Sequence, residues 1–173
     1  MKYHDKQQTT DIPKNFYVVV EIPSQSRNKY EMEDGFLMLD RVLHSSLIYP
    51  LNYGFIPQTL AKDGDALDAL IWTRFPLTSP SIVQVRPLAM LKMIDEAGED
   101  NKILTVPIND NFFSQTEGYE DIQKGLLSEI KQFFRRYKEL EEGKESKVQG
   151  WFGKKEAKDC IRDSLERYKN STN

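Results

Sequence analysis

The run Asp63-Gly64-Asp65-Ala66-Leu67-Asp68 sets three carboxylates within six residues, across a turn that Gly64 permits. Carboxylates this close repel one another and raise their own pKa values. A hard divalent cation relieves that repulsion, and Mg²⁺ accepts oxygen ligands in an octahedral array. The same residues also suit a plain polar hairpin turn. They are not a calcium loop of the helix-loop-helix kind, because its later Gly and closing Glu are missing and the flanks read as strands. A second acidic group, Asp95-Glu96-Ala97-Gly98-Glu99-Asp100, is followed by Lys102 and is weaker alone. On neighbouring strands the two groups would form a multi-metal carboxylate site, suited to in-line displacement at phosphorus. That chemistry needs positive charge on the substrate oxygens. Lys29, Arg41, Lys102 and the Tyr137-Lys138 pair are candidates, each otherwise a solvated side chain. Tyr49 and Tyr53 would either donate to phosphate or fill the core or rim.

Other chemistries fit poorly. No Gly-x-x-x-x-Gly-Lys-Ser/Thr loop is present, which argues against a nucleotide-triphosphate motor. His4 and His44 lie far apart, and neither has a visible partner for a serine or cysteine nucleophile. Cys160 is the single cysteine, which excludes an intrachain disulfide framework and a multi-Cys zinc site. The formal net charge of -3 argues against a dedicated nucleic-acid binder, and no basic and aromatic residues interleave on a strand. That total hides an asymmetry: residues 1–120 carry a net of -6 and residues 121–173 a net of +3. The first figure reflects either a solvated face or carboxylates concentrated for metal.

Elements must bring these groups together. With 173 residues, the chain suits one domain spanning 1–173. A loose start up to Pro13 leads into an expected strand, Phe16–Ile22, rich in aromatic and β-branched residues. Lys29–Met32 and Phe36–Asp40 form a hairpin around Asp34-Gly35. Residues 41–60 are punctuated by Pro and Gly and predict a rigid irregular loop with short strands. Leu67–Trp72, Ser81–Met93 and Lys102–Pro107 read as further strands, spaced as in a small barrel. The period then changes. Leu126, Leu127, Ile130, Phe133, Phe134, Tyr137 and Leu140 predict an amphipathic helix ending near Glu142-Gly143. Val148–Phe152 reads as a last strand. Ala157, Cys160, Ile161, Leu165 and Tyr168 mark a second helix that buries the cysteine. The polar start has no apolar signal region, and no stretch is long enough for a membrane span, so a reducing cytoplasm is expected.

In order, the segments Val20-Glu21-Ile22-Pro23, Lys29-Tyr30-Glu31, Asp40-Arg41, Tyr49-Pro50-Leu51-Asn52-Tyr53-Gly54-Phe55-Ile56-Pro57, Asp63–Asp68, Leu91–Asp100, Phe133–Lys138 and Gly150-Trp151 resemble the soluble, magnesium-dependent, bacterial-type inorganic pyrophosphatases. The resemblance runs from about Phe16 to Tyr168. It implies a mainly β fold, a five-stranded closed barrel of OB type with two main flanking helices. It also implies hydrolysis of pyrophosphate to two phosphates by a metal-activated water. Asp63, Asp68 and Asp100 match ligands of a first metal, and Asp68 a ligand of the second, with the nucleophilic water between them. Asp65 matches the general base. Asp95 with Asp100 matches a third metal arriving with substrate, and Glu31 a fourth. Lys29, Arg41, Lys102, Tyr137 and Lys138 match phosphate contacts. Tyr53 matches a catalytic tyrosine beside the bridging water, while Glu21, Glu96 and Tyr49 match supporting residues. Roughly three to four Mg²⁺ per site with substrate are implied, with Mn²⁺ or Zn²⁺ as substitutes. The partners implied are pyrophosphate and phosphate, with no nucleic acid and no membrane, in a homohexamer.

Three departures stand out. Ala66 replaces a usual Pro or Glu, which should affect turn rigidity slightly. Gln132 and Arg136 occupy positions that are His in many hexameric bacterial members, which bears on how trimers pair. Ser24–Asn28 lacks a common Gly. Two rival readings are an OB-type binding module without chemistry and a phosphoesterase acting on nucleotides. The first predicts gaps among the acidic ligands, and there are none. The second needs room for an apolar base among Lys29, Arg41, Lys102 and Lys138.

Overall fold

A computed structural model of the chain describes residues 3–172. The first two residues of the expected loose start lie outside that range, and a short 3-10 turn, Tyr3–Asp5, follows them. The strands are β1 (Phe16–Ile22), β2 (Asn28–Glu33), β3 (Phe36–Val42), β4 (Asn52–Phe55), β5 (Asp68–Ile71), β6 (Ser81–Asp95), β7 (Gly98–Glu99), β8 (Lys102–Pro107) and β9 (Ser146–Phe152). The helices are α1 (Lys124–Arg136) and α2 (Lys154–Ser171).

β1 pairs with β4 along one edge and with the start of β6 along the other. β4 continues to β5, and β5 runs parallel to β8. β8 meets the middle of β6, whose far end pairs with β9 and with the short β7. These seven strands make one mixed sheet, while β2 and β3 form a separate two-stranded one. The expected five-stranded closed barrel of OB type is therefore corrected to a seven-stranded mixed sheet with two flanking helices: β1, β4, β5, β8 and β6 pair in a ring, and β7 and β9 extend the sheet along the far end of β6. Alternation of apolar residues reports which face of a strand is buried, not which strands share an edge. β6 reaches several partners because it is 15 residues long and shifts register between Pro87 and Ala89, where Pro87 lacks a ladder donor.

The sheet is buried on both faces. Leu70 joins Leu88, Leu91, Leu104 and the α1 residues Ile130, Phe133 and Phe134 in one apolar cluster. Its neighbours Ala69 and Ile71 join Val18, Val20, Ile103 and the α2 residues Ala157 and Ile161 in another. Burial on both sides explains why β1, β5 and β8 read as nearly unbroken apolar runs. At the β1–β4 contact, a Cβ on Gly54 would lie 1.8 Å from the Val19 carbonyl oxygen, so only glycine fits.

Both helices depart from the sequence reading. α1 ends at Arg136, not near Glu142-Gly143, and the chain leaves it through turns in which Glu139 N–H donates to Arg136 O and Glu141 N–H to Lys138 O. The marker that extended the helix, Leu140, is 63% exposed. Cys160 lies on α2 as expected, yet it is half-buried, not buried.

Candidate active site

The Asp63–Asp68 loop is built by its own backbone. Ala61 N–H donates to Asp65 O at 2.7 Å, and Asp65 N–H donates to the Asp63 carboxylate at 3.1 Å. Gly64 adopts a φ of +100°, which a side chain would strain. Thr59 pins the loop's end by accepting from Leu67 N–H and donating to Ile56 O. The parallel register of β5 and β8 then sets Asp68 beside Lys102. The second acidic group closes the β6–β7 turn, where Ala97 N–H donates to Asp95.

These elements surround one cavity of about 580 Å³. Asp63, Asp65, Asp68, Asp95, Asp100, Glu21, Glu31 and Glu96 line it together with Lys29, Arg41, Lys102, Lys138, Tyr53 and Tyr137. Of the residues singled out from sequence, Tyr49 alone is not in its wall. It is buried behind, with its ring 5.5 Å from that of Tyr53 and 4.7 Å from that of Phe133. Four residues to which the sequence reading gave no role in the site border the cavity or hold its wall. Asp40 accepts from both Lys29 and Arg41, Lys144 pairs with Glu96, His4 lines the rim, and Glu141 holds Arg41 from behind. Glu141 sits in a run of charges after a helix, a pattern usually meaning a solvated surface.

The electrostatics follow from crowding. Lys102 is buried; its ammonium donates to Asp100 and, at 2.5 Å, to Asp68, and lies 3.2 Å from the Tyr53 hydroxyl. Burial opposes charge on Lys102, but Asp68 and Asp100 more than compensate and keep it protonated. One ammonium does not neutralise two carboxylates. Burial and the neighbouring Asp68 push Asp100 up despite Lys102. Burial likewise raises Asp63, with Asp100 and Asp65 adding to the shift. Glu21 is pushed up to about 8 by burial, although it accepts from Met32 N–H at 2.7 Å. Glu96 goes the other way, down to about 2: backbone N–H groups, Lys144 and Lys138 outweigh its slight burial. Desolvation raises the Tyr53 and Tyr137 phenols well above their ordinary range, so both stay protonated donors.

The donor set fits a hard cation in its chemistry, since every acidic group in the cavity offers carboxylate oxygen. Lys102 already stands in as a cation between Asp68 and Asp100. Among the described residues no three acidic, His or Cys groups are drawn together tightly enough to form a ready-made metal cluster.

A model of one protein family, inorganic pyrophosphatase, matches residues 18–169. The chain belongs to the inorganic pyrophosphatase family. It is 46% identical to the inorganic pyrophosphatase of Ralstonia nicotianae, over 98% of this chain and 99% of that one. It is 45% identical to that of Nanoarchaeum equitans, over 88% and 97%. The crystal structure of the Thermus thermophilus inorganic pyrophosphatase superposes with a TM-score of 0.95 at 39% identity, covering 98% of this chain and 99% of that one. The resemblance read from the motifs thus holds for nearly the whole chain.

Proposed function

We propose an assignment of roles for the hydrolysis of pyrophosphate to two phosphates, the reaction of the family to which the chain belongs. The observation that carries it is the cavity itself, where carboxylates from β5, its preceding loop and the β6–β7 turn are interleaved with cations from β2, β3, β8 and the turn after α1. Asp65, exposed on its loop, takes a proton from the attacking water. Tyr53 and Tyr137 donate as neutral phenols. Lys29, Arg41, Lys102 and Lys138 bind the phosphate oxygens and stabilise the charge growing on the departing phosphate. Glu21 and Glu96 support the wall, and Tyr49 supports Tyr53 from behind. Asp63, Asp68 and Asp100 would hold the first Mg²⁺, Asp68 also the second, Asp95 with Asp100 a third and Glu31 a fourth. When bound, such ions lower the pKa of water and neutralise the substrate's charge. Mn²⁺ or Zn²⁺ would substitute with lower preference at all-oxygen ligands.

No helix among the described residues is long and apolar enough to cross a membrane. Family likeness supports a single catalytic domain, a cytoplasmic location and a homohexamer. Light scattering of the purified protein tests the last. The role assignment is tested by phosphate release from pyrophosphate across a Mg²⁺ titration, repeated with EDTA and with triphosphates and monoesters. Release confined to pyrophosphate, dependent on Mg²⁺ and abolished by EDTA is expected. Release that persists in EDTA, or equal turnover of monoesters, would overturn it.

A further inference from the structure

The β2–β3 hairpin carries Lys29, Glu31 and Arg41 yet shares no ladder with the main sheet. Polar contacts from two elements of the body hold it. Met32 N–H donates to Glu21 on β1, and the Arg41 guanidinium meets Glu141 at 2.7 Å. Glu141 does not line the cavity, and its side chain is only 5% exposed. Its backbone is fixed in both directions, donating to Lys138 O and accepting from Lys144 N–H. That places it in the same turn series that carries Tyr137 and Lys138. One oxygen, Oε1, is buried without a partner, as is Arg41 Nε. An acceptor held this way serves Arg41 alone, while Asp40 engages the opposite side of the guanidinium.

We infer that Glu141 is a positioning residue for Arg41. From behind the wall, it fixes the guanidinium and with it the hairpin against the turn after α1, so that the cations of both elements meet one substrate. Burial works against the charge on Arg41, but Glu141 and Asp40 hold it above its ordinary value. The guanidinium therefore stays charged and keeps its remaining N–H groups in fixed directions. Without Glu141 the arm must be ordered anew by each substrate, a cost that falls on binding and not on the chemical step.

The inference rests on the reading of Arg41 as a phosphate contact, and the experiment separates the two. Steady-state kinetics with magnesium pyrophosphate are measured for Arg41→Ala, Glu141→Ala, Glu141→Gln and the double Ala variant, with thermal midpoints alongside. Glu141→Ala is expected to raise KM about tenfold with kcat changed less than about threefold, as misplacement of a binding group does. Glu141→Gln, which keeps an acceptor, should recover part of that loss. The double variant should match Arg41→Ala, because Glu141 has nothing left to position. If Arg41→Ala leaves KM unchanged, the phosphate-contact reading fails. If Arg41→Ala raises KM but Glu141→Ala does not, or if the two losses multiply in the double variant, the positioning role fails. A Glu141→Ala variant that loses kcat and thermal midpoint together at unchanged KM would show a merely structural residue.

Discussion

At the scale of single residues, the cavity separates groups by environment. Asp65 is exposed, and no cation among the described residues is paired to it in the way that Lys102 is paired to Asp68 and Asp100. Replacing Asp65 with Asn should therefore cost the reaction and not the fold. Phosphate release should fall by about 10²–10⁴, the usual contribution of a general base, with an unchanged thermal midpoint. Normal turnover in that variant would remove Asp65 from its role. Glu21 is the opposite case, a buried carboxyl raised to about 8 in the folded protein. Between its unfolded pKa near 4.5 and about 8, the folded state holds a proton that the unfolded state has lost. Stability of the metal-free protein should thus fall as pH rises through that window. Glu21→Gln has no proton to lose, so its urea midpoint in EDTA should drop less than the wild type's between pH 5 and pH 8. Parallel midpoints would show that Glu21 ionises normally. Neither environment is written in the motif: Asp65 and Glu21 are both acidic residues in matching segments, and only packing leaves one exposed on its loop and buries the other.

At the scale of elements, the local signals were legible and the pairings were not. β1 and β8 have the bounds that their apolar runs predict, and the turn at Asp34-Gly35 joins β2 to β3 with both residues at positive φ. The helix period overshot α1 because Leu140 keeps the three-residue spacing after the helix has ended at Arg136, with its own side chain in solvent. The five-stranded expectation fell short for a related reason: burial on two faces erases the alternation that would assign strands to layers, and the far end of β6, which takes β7 and β9 into the same sheet, is reached past a bulge. The site was legible through its acidic clusters, but the pairings of Asp40 and Glu141 were not: Asp40 meets Lys29 only once the hairpin closes, and Glu141 meets Arg41 from an element far along the chain. Gly54 tests how tightly the elements are set. In Gly54→Ala the new Cβ meets backbone at the β1–β4 ladder, with Val19 O at 1.8 Å, so no side chain can swing aside. The strands must part, at a cost of about 3 kcal/mol, as for a severe overpacking. Tyr53, the next residue on β4, should move with them, so the loss of activity should exceed the unfolded fraction. Chemical denaturation together with kinetics checks both, and a variant of wild-type stability would show that β1 and β4 yield without strain.

At the scale of the whole molecule, the net charge of -3 conceals the fact that the reaction brings an anion to an acidic wall. Residues 1–120 hold a net of -6, and ten of their carboxylates, Asp63, Asp65, Asp68, Asp95 and Asp100 among them, line the cavity. The folded protein concentrates negative charge that the unfolded chain disperses, and the buried Lys102 offsets only part of it. A divalent cation that binds the folded state alone must then stabilise it by mass action, by about 2.7 kcal/mol at a hundred times its dissociation constant. Adding MgCl₂ to EDTA-treated protein should raise the thermal midpoint by several degrees. NaCl at matched ionic strength should raise it less, because salt screens exposed charge more than buried charge. The gain should shrink in Asp68→Asn and in Asp100→Asn, which remove carboxylates from the pair that Lys102 bridges. Equal gains from both salts, or an undiminished magnesium gain in the two variants, would mean that the acidic wall is balanced by Lys29, Arg41, Lys102 and Lys138 alone and that magnesium acts on the molecule elsewhere.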